Sequence, residues 1–421
     1  MLYLCFALIV SVIYQSVPSR RHIMRRIDLR TTTTAHLSNI RDINRRIVLN
    51  YVRDRGPISR AEIARQTALQ RSTVSTLVDS LIAERLIEEI GMGHSTGGRC
   101  PTLLKLNTDG AAALAIDIAP TRTTIATSNL AGCVLERVVF DTDPDFEKTV
   151  TRATEAACKL LERSTGRIDG IGVSLPGLVD PSIGRLLYIP YFNWRDLDIG
   201  QRIASATGME VTIDNDANAA ALAELWFGQP EVSEARDFIM VFIAEGVGTG
   251  IIFDRQIYRG RDGAGGEFGH MIIGERAPVP CSCGSYNCWE AFASGRAAIA
   301  RYLELNGKAE GAQEMNFAQL IDLALCEDEA AKAVLSETAH YLGVGISNLI
   351  IGFSPDIIVV GGAITRAWTL VSNMLSETVE RSMRRNLQPV RIVASTIGDH
   401  ASLMGALSLV LAKRFASAAA I

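Results

Sequence analysis

The sequence predicts a winged helix-turn-helix followed by an α/β body of two related lobes, and three features carry that prediction. Charge is divided unevenly: residues 20–105 hold 16 Lys and Arg against 8 Asp and Glu, a net of +8, which leaves −12 for the rest of a chain whose total is −4. The front of the chain reads as three short helices and a hairpin, and behind it a block of three strands followed by helix occurs twice.

A chain of 421 residues exceeds one ordinary core and implies two or three domains. A basic front on an acidic body is the footprint of one part that meets nucleic acid and one that does not. The expected boundaries are an apolar extension over 1–23, a DNA-binding domain over 38–107, a first lobe over 110–235 to which a helix at 400–418 returns, and a second lobe over 236–399. The opening run MLYLCFALIVSVIY is shorter than the roughly 20 apolar residues of a membrane span, and no basic residue precedes it as in a signal peptide. The flank SRRHIMRR leaves an anchor open, but the preferred reading starts the natural chain at Met24, with no membrane partner and a cytoplasmic location.

Ile40, Ile43, Ile47, Val48 and Tyr51 fall at helical spacing, and Gly56-Pro57 stops that helix. Ser59, with Glu62 three residues on, reads as the capping box of a second helix. In the third, Val74, Leu77, Val78, Leu81 and Ile82 form the apolar stripe. Its opposite side offers Gln70, Arg71, Ser72, Thr73, Ser75 and Thr76, small hydrogen-bonding groups with a cation at the helix start, suited to base edges and phosphates of a major groove. LIEEIG and PTLLKLN form the wing around a glycine-rich tip, where His94, Ser95 and Arg99 would reach the minor groove or backbone. The body begins with AALAIDIAPTRTTIATSNLAGCVLERVVF, three predicted strands, and DFIMVFIAEGVGTGIIFDRQIYRG repeats the pattern. Two such lobes imply a cleft between them.

Of eight cysteines, three lie within Cys281–Cys288, which fits a metal site in a reducing compartment better than a disulfide framework.

GVSLPGLVD, DNDANAAALAE, GGEFGH, CSCGSYNCWE and VVGGAI together resemble the ROK family of repressors, open reading frames and sugar kinases, from about residue 38 to the end. The resemblance implies an actin-like (hexokinase-like) body, and with the winged module in front it is similar to the repressor branch, which includes xylose and N-acetylglucosamine regulators. It implies that Glu267 holds sugar hydroxyls, that His270 both ligates zinc and faces the sugar, that Cys281, Cys283 and Cys288 complete the zinc shell, and that Glu290 points back to the sugar. Asn287 departs from the family's glycine, and because asparagine tolerates a left-handed backbone the turn is expected to survive. One His and three Cys fill a tetrahedral shell, so one structural zinc per chain is expected. By the same resemblance Asp216 matches the kinases' general base and Asn215 adjoins it. Helix N-capping is the alternative role for Asp216. Gly177 and Asn193 are weaker candidates for the sugar rim.

Phosphoryl transfer depends on loops that cradle a triphosphate. Where family kinases have Asp-x-Gly-x-Thr, this chain has Asp117, Ile118, Ala119, Pro120 and Thr121, and Pro120 has no N–H to offer. Where they resemble Gly-Thr-Gly-x-Gly, it has Ala244, Glu245, Gly246, Val247 and Gly248. A carboxylate at ~4 Å from a phosphate charge costs about 1 to 4 kcal/mol. Only Gly361 and Gly362 still look suited to an adenosine. The expectation is a sugar-responsive repressor that performs no catalysis, acting as a homodimer or homotetramer on a palindromic double-stranded operator. An active sugar kinase with a fused DNA-binding domain is the alternative.

Overall fold

In α1 (Leu37–Arg55) burial falls on Val48, Leu49 and Val52, while Ile40 and Ile43 stay exposed, so the C-terminal turns of this helix supply its contribution to the core. The structure, a computed structural model, describes residues 37–93, 100–164, 166–307, 315–382 and 389–415, with the side chains of 37–39, 399 and 414 excepted. The 1–23 extension, Met24 and the wing-tip residues His94, Ser95 and Arg99 lie outside the described residues. The chain divides into two compact units, Met1–Asp42 and Ile43–Ile421.

A two-residue strand β1 (Ile58–Ser59) follows α1, and Ser59 then caps α2 (Arg60–Thr67) by accepting the Glu62 N–H at 3.2 Å. In α3 (Arg71–Ala83) the stripe Val74, Leu77, Val78 and Leu81 is buried. Strands β2 (Ile87–Met92) and β3 (Thr102–Leu106) pair antiparallel, and β1 adds to β3, giving the order β1-β3-β2. Arg60 ties these parts together, donating to Asp79 of α3 at 2.7 Å and to Glu89 of β2 at 3.0 Å.

The next strands are β4 (Ala112–Ile118), β5 (Arg122–Asn129) and β6 (Val134–Asp141), followed by α4 (Phe146–Arg163) and β7 (Ile168–Leu175). A small antiparallel sheet β8 (Leu178–Asp180), β9 (Arg185–Ile189), β10 (Trp194–Leu197) leads to α5 (Ile199–Thr207), β11 (Val211–Asn215), α6 (Asp216–Phe227) and the single turn α7 (Pro230–Ser233). Then come β12 (Phe238–Ile243), β13 (Val247–Phe253) and β14 (Gln256–Ile257). They are followed by α8 (Trp289–Ala293), α9 (Gly295–Leu305), α10 (Phe317–Leu325), α11 (Glu329–Phe353), β15 (Ile357–Gly362), α12 (Trp368–Ser382), β16 (Arg391–Ala394) and α13 (Ala401–Phe415).

Among the described residues the two large sheets have the orders β11-β7-β4-β5-β6 and β14-β13-β12-β15-β16. Each sets an antiparallel three-strand meander beside two parallel strands, so the repeat read from the sequence is a repeat of topology.

Small residues let α6 and α13 meet at backbone distance. Ala217, Ala219, Ala220, Ala221 and Ala223 are buried on α6, and a Cβ added to Gly405 of α13 would lie 2.1 Å from the Ala219 carbonyl. On its other side α13 rests on β4 and β7. One hydrophobic cluster then runs from Val48, Leu49 and Val52 of α1 and Leu77 of α3 to Ala113 and Ala126 of the sheet and Leu407, Leu411 and Phe415 of α13. Asn50 donates to the Phe415 carbonyl at 2.9 Å, and the Arg53 guanidinium lies 4.6 Å from the Trp226 ring and 4.8 Å from that of Phe415. The winged module from Ile43 onward is therefore packed onto the body rather than tethered to it. Among the described residues no helix is long and apolar enough to cross a membrane.

Candidate functional site

Strand β11 delivers its last residue, Asn215, to the start of α6, and there the local chemistry corrects one expectation. The cap is Asn215, whose Oδ1 accepts the N–H groups of Ala217 at 2.9 Å and Asn218 at 3.2 Å; Asp216 is the first helical residue. Asn215 Nδ2 donates to the Gly177 carbonyl at 3.0 Å, so its amide orients the site through protein partners. The Asp216 carboxyl also accepts the Ala217 N–H, at 2.8 Å, and lines a cavity. Burial, reinforced by Asp117, Glu267 and Glu245, raises Asp216 to about 7.

Gly177, Asn215, Asp216, Glu267, His270 and Glu290 all line this cavity. Asn193 does not: it closes the turn Pro190–Phe192 at φ 55°, and its side chain accepts from Arg195 Nε at 3.0 Å. The same turn presents Tyr191 to the cavity instead. Sequence reasoning missed Tyr191, and the nearest signal was the proline that fixes the turn. Its hydroxyl is buried and has no hydrogen-bond partner among the described residues. Burial first, then the charge of Glu290, push the phenol above its ordinary range.

Glu267 ends one wall, and its carboxyl is held above the usual carboxylate range by burial. The short turn Phe268–His270 follows and places His270 Nε2 3.5 Å from Glu267 Oε2, with Nδ1 on the other side 3.2 Å from Cys281 Sγ. The imidazole thus stands between cavity and sulfur cluster. The ligand atoms of His270, Cys281, Cys283 and Cys288 lie within 4.8 Å of one another, a group that could hold a metal ion. Cys283 Sγ is 3.6 Å from Cys288 Sγ, and burial, with the neighbouring thiols adding to it, pushes Cys288 up to about 12. Crowding of this kind is what a divalent cation relieves.

Backbone bonds hold the loop: Trp289 N–H to the Met271 carbonyl at 2.8 Å, Ile273 N–H to Asn287 at 3.1 Å and Cys281 N–H to Ser285 at 2.8 Å. Here a second expectation is corrected. The left-handed residue is Gly284 at φ 90°, whereas Asn287 is not among the residues of positive φ. Asparagine fits because that position asks for an ordinary backbone, not because it tolerates a strained one. Glu290, buried on the first turn of α8, accepts from Ser282 N–H at 3.0 Å, Ser282 Oγ at 2.8 Å and Arg296 at 3.2 Å, while its Oε2 faces the Val247 N–H at 3.4 Å.

The two loops that would cradle phosphates also meet here. Pro120, Ala244, Glu245, Gly246, Val247 and Gly248 line the cavity, and the Thr121 hydroxyl donates to Glu245 at 3.3 Å, joining the two loops. Asp117 is turned into its own lobe, accepting from Ser402 at 3.0 Å, and burial raises it to about 6. Gly361 and Gly362 also have a packing reason: they end β15, and a Cβ on Gly362 would lie 1.9 Å from the Ile243 carbonyl.

On the other module, Gln70, Arg71, Ser72 and Thr76 are exposed and Thr73 and Ser75 partly so, all at the N-terminal end of α3.

The description of the ROK family matches residues 113–413, more than half of the chain. The chain belongs to the ROK family. A MarR family description matches residues 43–91, in the winged module in front of the ROK region. The xylose repressor of Bacillus subtilis (strain 168) is 30% identical over 377 residues, covering 88% of this chain and 96% of that protein. A ROK family transcriptional regulator described as a homologue of the E. coli MLC protein superposes with a TM-score of 0.76 at 27% identity, covering 90% of this chain and 97% of its own. A ROK family glucokinase from Streptomyces griseus, solved with glucose and AMPPNP, superposes with a TM-score of 0.62 at 27% identity over 71% of this chain and 98% of its own. The regulator thus covers more of this chain than the kinase does.

Proposed function

We propose that this ROK protein is a sugar-responsive transcriptional repressor that senses an effector in the cavity between its lobes and performs no phosphoryl transfer. One observation carries the reading. The cavity brings Asp216, Glu267, His270 and Glu290 together, while its lining carries Pro120 and Glu245 where a phosphate cradle needs free N–H groups and no anion, in a chain fused to a winged helix-turn-helix. Asp216 near 7 is suited to general-base work, but a base without a phosphate cradle transfers nothing.

In this reading residues 38–107 contact the operator through Gln70, Arg71, Ser72, Thr73, Ser75 and Thr76, joined by Arg99 at the wing. Residues 110–235 with the returning helix at 400–418, and residues 236–399, form the sensing lobes. Two copies, as a homodimer or within a homotetramer, address palindromic half-sites about 34 Å apart in double-stranded DNA. The location is cytoplasmic, where operator and effector meet.

The metal is zinc, one per chain. His270, Cys281, Cys283 and Cys288 would hold it, and its chemistry is that of a closed tetrahedral shell that ties a loop in place. Held so, His270 presents its other nitrogen to Glu267 and both face the effector.

The signal has a direct route. Helix α6 starts at the cavity with Asp216 and reaches the winged module with Trp226, beneath Arg53 of α1. Closure of the lobes around a ligand that favours the closed form would move α6 and α13 together and reorient α1. The test is an operator gel shift with the chain's own upstream DNA, titrated with sugars and ATP. Release by a sugar without ADP formation is expected; ADP formation at a kinase-like rate with that sugar would refute the reading.

A further inference from the structure

Two residues of the cavity lining, Tyr191 and Glu245, bear on which ligand fits. Tyr191 brings a phenolic hydroxyl that is out of solvent and without a partner among the described residues. It stands close to Gly246, where an added Cβ would lie 2.8 Å from this hydroxyl and 2.4 Å from Glu290 Oε2. A buried donor left unpaired is costly, and a ligand hydroxyl placed there would satisfy it.

Glu245, in the cavity lining, brings a carboxylate at the tip between β12 and β13, where it accepts from the Thr121 hydroxyl at 3.3 Å. The ionisable groups facing the cavity are Asp216, Glu245, Glu267, Glu290, Tyr191 and His270, so acids predominate. The Arg296 guanidinium beside these groups is committed: it donates to Glu290 at 3.2 Å and to the Glu245 carbonyl at 3.3 Å, and it lies 5.4 Å from the Tyr191 ring. No cation among these is free to meet a phosphate or carboxylate group.

We infer that the effector is an uncharged, unphosphorylated monosaccharide, and that Tyr191 and Glu245 set this choice, Tyr191 by donating to a sugar hydroxyl and Glu245 by repelling an anionic substituent. The inference rests on the sensor reading above and narrows it. A phosphate within ~4 Å of Glu245 is disfavoured by about tenfold or more at the dielectric of a partly enclosed site. A hydroxyl recognised by a buried phenol gains, and the same pocket rejects an analogue that lacks it.

The experiment is calorimetric titration of the full chain with D-xylose, D-glucose and N-acetyl-D-glucosamine, and with glucose 6-phosphate and N-acetylglucosamine 6-phosphate. It is repeated with Tyr191→Phe and Glu245→Gln, each checked for folding by circular dichroism. The expected result is binding of at least one free sugar, with phosphorylated forms weaker by about tenfold or more. Tyr191→Phe weakens the free sugar by about five- to tenfold, and Glu245→Gln narrows the gap between free and phosphorylated forms. Equal or tighter binding of a 6-phosphate, or variants that leave both affinities and their ratio unchanged, would overturn the assignment while leaving a sugar sensor in place. Binding of no sugar in either form would overturn the sensor reading itself, and this inference with it.

Discussion

Asp216 shows at the scale of one residue how burial becomes a measurable property. Its carboxyl titrates at about 7 in the folded chain against an ordinary 3.8, because burial disfavours the charged form. The folded state therefore binds the proton more tightly than the unfolded one. The stability this contributes is fully present below about pH 3.8 and is lost as pH rises through about 7. Asp216→Asn removes that loss, so the variant should gain stability over the parent between pH 5 and pH 8, by at most about 4 kcal/mol. Thermal melts across that range check it, and a gain that is flat in pH would show that Asp216 does not titrate there.

Gly246 is a second single-residue case, since any side chain there meets Glu290 Oε2 at 2.4 Å and Tyr191 Oη at 2.8 Å. Gly246→Val should abolish sugar binding in calorimetry while leaving the operator complex intact. These contacts were beyond sequence reasoning. Thr121 and Glu245 are 124 positions apart, and no local pattern announces that two loops face one another. Glu267, His270 and the three cysteines were legible because ligand spacing and motif are local. The choice between Asn215 and Asp216 as cap was not, because either side chain is chemically able to do it and only the end of β11 decides.

At the scale of the element, the proposed function gives α3 and α6 separate duties. Arg71 is exposed at the start of α3, and Arg71→Ala should weaken operator binding about tenfold in a gel shift and reduce the salt dependence of that binding. Helix α6, 12 residues and so roughly 18 Å long, joins cavity to module, and Trp226 is its contact with Arg53. Trp226→Leu keeps apolar volume but removes the ring beneath the guanidinium. The expected outcome is retained operator affinity and retained sugar affinity with the effect of one on the other reduced, measured as operator affinity with and without saturating sugar. Full coupling in that variant would place the route elsewhere. Most elements could be read from the sequence because their apolar periods are long enough to count, as in α3 and in β4 through β6. Strand β1 could not, because two residues have no period and exist as a strand only by pairing with Leu103 and Leu104. The buried stripe of α1 was read partly from the wrong residues, since Ile40 and Ile43 share its period but lie before the turns that pack.

At the scale of the whole molecule, the two-lobed repeat was visible in the sequence, whereas the shared core of winged module and first lobe was not. That core depends on Leu407, Leu411 and Phe415, which return from the far end of the chain. It gives the protein its means of acting as one body, because a ligand held between lobes can move the DNA-binding module only if no slack separates them. The group that could hold a metal ion belongs to this scale as well, since its cysteines lie on the loop from Cys281 to Cys288, beside the strand bridge Ile272–Cys288. Cys283→Ser should lower the zinc content measured by atomic absorption from about one per chain, lower the melting temperature by several degrees and weaken sugar binding. A full zinc complement in that variant would exclude Cys283 as a ligand.

The central claim, that occupancy of the cavity governs DNA binding, is tested most directly by fluorescence anisotropy of labelled upstream operator DNA with the full chain, at fixed salt, with and without D-xylose, D-glucose or N-acetyl-D-glucosamine at millimolar concentration. The account predicts that at least one of these sugars changes operator affinity by about tenfold or more, within the usual range of allosteric coupling. Operator affinity that stays the same while calorimetry shows the cavity saturated with sugar would contradict it.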